Sequence, residues 1–134
     1  MAGLLVPLFS RRSFSFTGLT ASTTMDIVIV RALPVFGYRE ATVLVKVHSV
    51  ALDGGATIDL LASETSPTED APGVDFVAST VVLTASVATG TTPALVHAGN
   101  ASTFGGHLQI VVRGTRGSTG SCDAVLEADL VLKE

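Results

Sequence analysis

The sequence predicts an all-β protein: a single antiparallel β-sandwich of jelly-roll-like topology, with about seven or eight strands and an extended N-terminal arm. Three observations carry that expectation. Apolar and polar residues alternate with a period of two over most of the chain from Met25 onward. Gly, Pro, Asn and Asp clusters separate these runs at short intervals, as turns do. No capped amphipathic stretch of helical length interrupts them. With 134 residues, the chain fits one domain, and 47% hydrophobic against 15% charged residues is enough for a packed core.

The first segment, residues 1–24, is read as an arm outside a sandwich domain spanning 25–134. Leu4, Leu5, Val6, Leu8 and Phe9 form an apolar patch broken by Pro7; Arg11, Arg12 and SFSFT follow. All 12 acidic residues lie from Asp26 onward, so the arm is basic and the body acidic. The arginine pair comes after the apolar patch, the reverse of a secretory or twin-arginine signal. Pro7 and the β-favouring Phe and Thr residues spoil the amphipathic helix of a mitochondrial transit peptide. A frayed terminus would leave the patch in water. The remaining reading is an arm that docks on another surface through Leu4, Leu5, Leu8, Phe9, Phe14 and Phe16, with Arg11 and Arg12 meeting carboxylates there. In SFSFT, Phe14 and Phe16 share one face, which suits addition of a strand to a neighbouring sheet.

The strands follow in order. MDIVIVR opens the body near residues 25–31. In YREATVLVKVHSV, Val43, Val45 and Val47 fall on one face and Thr42, Leu44, Lys46 and His48 on the other. Asp53-Gly54-Gly55 links that strand to ATIDLLA at hairpin distance. A Val-rich segment near 76–87, a short one near 92–97 and HLQIVVR at 107–113 come next. The last run is the clearest: Cys122, Ala124, Leu126, Ala128, Leu130 and Leu132 make an apolar row, while Asp123, Val125, Glu127, Asp129, Val131 and Lys133 face the other way.

Candidate chemistry is sparse. His48, His97 and His107 form no HExxH or HxH pair. Gly117–Gly120 reads GSTG, a flexible loop without the flanking strand and helix of a nucleophile elbow. The surrounding RGTRGSTGS is neither a Walker loop nor a dinucleotide fingerprint, and it offers Arg113 and Arg116 to an anion or to an acidic partner. Glu64, Glu69, Asp70 and Asp75 surround a Pro-rich turn with no EF-hand spacing. Asn100-Ala101-Ser102 matches a glycosylation sequon but reads as a polar turn. Cys122 is the one cysteine; on the apolar row it is a small buried side chain rather than a nucleophile. A net charge of −4 argues against nucleic acid as a direct partner, and no run of about 18 apolar residues forms a membrane-spanning helix. No catalytic residue, metal or cofactor is expected.

The run VFGYREATVLVKVHSVALDGGATIDLLASETSPTEDAPGVDFVAS resembles small β-rich structural proteins of tailed phages and prophages. There a G-Y/R segment opens a Val-rich strand, followed by a turn, an I/L-D-L/V strand and a polar loop ending in an aromatic, here Val74-Asp75-Phe76. FGGHLQIVVRGT, at Phe104 to Thr115, is similar to the family's aromatic-glycine approach to a strand ending in Arg. The likeness covers residues 25–132 and consists mostly of strand and turn grammar. It implies a non-enzymatic virion protein, a head decoration (cement) or minor capsid component made in the host cytoplasm. Such a protein binds the major capsid protein or other virion proteins and forms homo-oligomers. A tail or neck component fits the same residues. A carbohydrate-binding or adhesive sandwich, contacting glycan through Tyr38 or Phe104, stays open as the alternative.

Overall fold

Alternation of side chains produces eight strands in the computed structural model, which describes residues 3–35, 37–67, 76–87, 94–97 and 107–134. They are β1 (Gly3–Ser15), β2 (Thr24–Pro34), β3 (Glu40–Leu52), β4 (Thr57–Pro67), β5 (Phe76–Val87), β6 (Ala94–His97), β7 (His107–Thr115) and β8 (Cys122–Lys133). Among the described residues there is no helix. The strands form two four-stranded antiparallel sheets, ordered β1-β8-β3-β6 and β2-β7-β4-β5.

That order is a jelly roll. The pairs β4:β5, β3:β6, β2:β7 and β1:β8 are the successive rungs of one long antiparallel ribbon. Rolling the ribbon adds the β3:β8 and β4:β7 ladders, which join the rungs into two packed sheets.

The core lies between the sheets and is built from the rows that the alternation marks. On β8, Cys122, Ala124, Leu126, Ala128, Leu130 and Leu132 are buried, and Asp123, Val125, Glu127, Asp129 and Val131 are partly exposed. Ala41, Val43, Val45 and Val47 of β3 meet them from the same sheet, while Ile58, Leu60, Leu108, Ile110 and Val112 close the core from the opposite one. Each fully buried Leu or Ile side chain contributes about 1.5–3 kcal/mol relative to an exposed one, so the rows outweigh any single loop contact.

The expected division at residue 24 is corrected. The N-terminal segment is extended, but it is a strand of the sandwich and not an arm outside it: β1 pairs with β8 from Gly3↔Lys133 to Ser15↔Asp123. The cause is burial. Phe14 and Phe16 are 2% and 1% exposed and belong to the core cluster, with Val6, Leu8 and Phe9 packed against it. What made the segment look like an arm is handled by its position at the sheet edge. Register shifts fall between Pro7 and Phe9 and between Phe9 and Arg12. A proline, two bulges and two arginines blunt an edge against uncontrolled pairing with other chains.

Candidate functional site

The eight residues expected to contact a partner divide into two groups. Leu4 and Leu5 are 45% and 57% exposed, and Arg11 and Arg12 are exposed as well. Leu8 and Phe9 are partly buried, and Phe14 and Phe16 are inside. Phe14 and Phe16 are therefore withdrawn as docking residues: their face points into their own sandwich. Phe9 meets Phe14 edge-on, with ring centroids 5.2 Å apart at 69°, and the Arg12 guanidinium lies 4.9 Å from the Phe14 ring centroid. Arg12 thus caps an aromatic pair at the surface, a cation–π contact.

β1 also shapes the outward face of its sheet. Ser13 and Ser15 on β1, Asp123 and Val125 on β8, and Ser49 and Ala51 on β3 come together by register and line an open depression of about 310 Å³. The small side chains of Ser13, Ser15, Ser49 and Ala51 on the flanking strands hollow the surface. The Asp123 carboxylate accepts hydrogen bonds from the Ser15 hydroxyl at 2.6 Å and the Thr17 hydroxyl at 2.7 Å. These bonds, chiefly that from Ser15, hold its pKa below the ordinary carboxylate value.

Next along β8 stands a charged cluster. His48 Nε2 lies 2.9 Å and Lys46 Nζ 3.8 Å from Glu127 Oε1. A register shift between Val47 and Ser49 places His48 beside Glu127. Among the described residues no hydroxyl or thiol is hydrogen-bonded to His48, so the nucleophile–base contact that acyl transfer requires does not occur among them.

The other chemical candidates are engaged structurally. Arg113 donates through Nε and Nη2 to the two oxygens of Asp26, at 2.7 and 3.0 Å. That pairing raises its pKa further and takes up the fork that an anion would need. Arg116 Nε donates to the Thr17 carbonyl at 3.1 Å. The GSTG segment, expected to be a flexible loop, is tied down: Ser118 N–H donates to Gly54 O at 3.0 Å, and Ser121 N–H to Asp53 Oδ2 at 2.9 Å. Buried Cys122 has a raised pKa because burial disfavours its thiolate, with nearby Asp123 adding to the effect. Tyr38 is partly buried and packs against the core. No group of three or more His, Cys, Asp or Glu able to hold a metal occurs among the described residues. Glu69, Asp70, Val74, Asp75, the Asn100-Ala101-Ser102 sequon and Phe104 lie outside the described residues. His97 is placed in β6 opposite Leu44, and Glu64 and His107 are each engaged in an interaction.

The depression and the Lys46–His48–Glu127 cluster escaped sequence reasoning because they depend on strands distant in the chain, three for the depression and two for the cluster. The available signal was the spacing of Ser13 with Ser15 and of Ser49 with Ala51, small residues on outward positions. No family model, no curated protein and no solved structure matches this chain.

Proposed function

We propose that this chain is a non-enzymatic structural protein of a virion, a capsid decoration or minor capsid component that binds the capsid lattice; a tail or neck position belongs to the same reading. The observation that carries it is edge strand β1, whose inner side chains root it in a jelly roll while Leu4 and Leu5 remain exposed. Jelly rolls recur in viral capsids, although fold alone does not set function. The engagement of the charged groups near the surface depression supports the reading: Glu127 is held by Lys46 and His48, and Asp123 by the Ser15 and Thr17 hydroxyls. Many copies on a lattice convert a modest contact into firm attachment.

The test is co-sedimentation of the purified full chain with particles from the source culture, followed by the same experiment with Leu4→Glu/Leu5→Glu. Both leucines are exposed, so the double variant folds. The parent chain is expected to travel with the particles and the variant to stay at the top of the gradient. A parent chain that never enters the particle fraction overturns the proposal.

A further inference from the structure

Side chains on the outer face of the β1-β8-β3-β6 sheet stand in rows across the strands, and three successive rows differ in charge and height. Ser15, Asp123 and Ala51 form the first row, and Ser13, Val125 and Ser49 the second. The third holds Glu127 and Lys46, with Ser10 and Arg11 both opposite Glu127 on β1 because that strand carries an extra residue there. The first two rows are low and form the depression of about 310 Å³, in which Asp123 is the one charged lining residue. The third row is tall: Lys46 and His48 contact the Glu127 anion, and exposed Arg11 adds a second cation from β1. Successive rows are about 7 Å apart, so the uncharged row lies midway between an acidic row and one of net positive charge.

We propose that this face is the contact surface of a homodimer whose twofold axis runs along the Ser13–Val125–Ser49 row. Rotation about that axis sets the tall row of each copy into the depression of the other. Arg11 and Lys46 then straddle the Asp123 carboxylate of the second copy, and the same contact repeats on the other side of the axis. Glu127 stands over that carboxylate too, but it is already engaged by Lys46 at 3.8 Å and by the His48 ring at 2.9 Å. Small residues on the axial row allow the two sheets to approach, and Ser13 meets its own symmetry mate. One patch is therefore complementary to itself in both shape and charge, which an isologous contact requires. The sequence leaves a homo-oligomer open; the rows name its face. Leu4 and Leu5 lie farther along β1, so particle binding and dimerisation use separate surfaces.

Sedimentation equilibrium of the purified full chain at low and high salt tests the proposal without any particle. A dimer is expected at low salt, dissociating more readily at high salt because its ion pairs are screened. Arg11→Glu, on an exposed residue, is expected to weaken it about tenfold. Under mild oxidation Ser13→Cys is expected to give a disulfide-linked dimer, since the two positions face each other across the axis. Buried Cys122 stays out of that reaction. A chain that is monomeric at low salt overturns the proposal. So does a dimer that ignores Arg11→Glu, or one that cross-links through Leu4→Cys and not through Ser13→Cys. A monomer whose Ser49 and Asp123 resonances shift on adding a saccharide also overturns it, because the depression then serves a glycan. A parent chain that dimerises but never enters the particle fraction counts only against the virion reading.

Discussion

The ring of Phe16 lies so close to the α-carbon of Gly114 that a β-carbon at position 114 would sit 2.1 Å from the ring's Cγ. Phe16 continues from β1 and its N–H donates to the Cys122 carbonyl at 2.7 Å, while Gly114 belongs to β7 of the opposite sheet. This contact ties the two sheets together at the end where the 16–23 connection crosses between them. Gly114 is required for close approach and not for backbone freedom, since it is absent from the positive-φ residues. Gly114→Ala is expected to lower the unfolding free energy by about 1–3 kcal/mol through overpacking. Urea denaturation of Gly114→Ala, Phe16→Leu and the double variant checks the cause: the double should cost less than the two singles together. Gly18→Ala is the control, because open space surrounds Gly18, and it should stay within about 0.5 kcal/mol of the parent.

The second prediction concerns the N-terminus. Deleting residues 1–17 removes the whole of β1, exposes the edge of β8 and takes Phe14 and Phe16 out of the core. Truncating a buried Phe costs about 3–5 kcal/mol, and two of them with a strand ladder consume most of the 5–15 kcal/mol that a domain of this size possesses. The truncated chain should show collapsed amide dispersion by NMR, whereas a detachable arm would leave the spectrum of the remaining residues unchanged.

Alternation reveals which residues share a face, but not which strand lies alongside. For β8 that was enough, because Cys122 to Leu132 on one parity and Asp123 to Lys133 on the other leave a single way to turn the strand. The jelly-roll class followed from many such strands separated by turns. For β1 it was not enough. Phe14 and Phe16 read as one face in the sequence, yet the same pattern serves a strand added to a neighbour and a strand closing its own sheet. The β1:β8 pairing joins residues more than a hundred positions apart and is decided by closure of the entire roll. Pro7 and the arginine pair resembled features of a detached segment because an edge strand uses the same devices. The depression beside Asp123 was hidden for the same reason, since its residues come from three strands that periodicity cannot align.

Asp123 gives a third prediction, on acid stability. Its carboxylate is held below the ordinary pKa first by the Ser15 hydroxyl and then by that of Thr17. A folded-state pKa below the unfolded value, about 3.9, means stabilisation that is complete above that value and lost as pH falls through the folded pKa. Asp123→Asn should therefore be slightly less stable at neutral pH, by no more than about 1 kcal/mol for so solvated a group. It should also lose less stability than the parent as pH drops below about 4. Thermal unfolding across that range checks it: parallel curves for parent and variant would show that the two hydroxyls contribute nothing to the charge state.

The fourth prediction follows from Cys122, which begins β8 at the bottom of the core. It is fully buried, and its thiol faces the Thr57 and Thr115 carbonyls at 3.8 and 3.6 Å. Burial disfavours the thiolate and Asp123 repels it, so the reactive form is suppressed by two independent causes, and access is blocked as well. A thiol reagent at neutral pH should modify the native chain only as fast as the β1–β8 end opens. The rate should then rise on Gly114→Ala, because Phe16 covers that end and its displacement loosens the Phe16–Cys122 hydrogen bond. Modification of the native parent at the rate of the urea-unfolded chain would mean that this end of the sandwich stands open. Cys122→Ser separates burial from reactivity. Its hydroxyl can bond one of the two carbonyls, so the variant should lose about 1–3 kcal/mol and still fold.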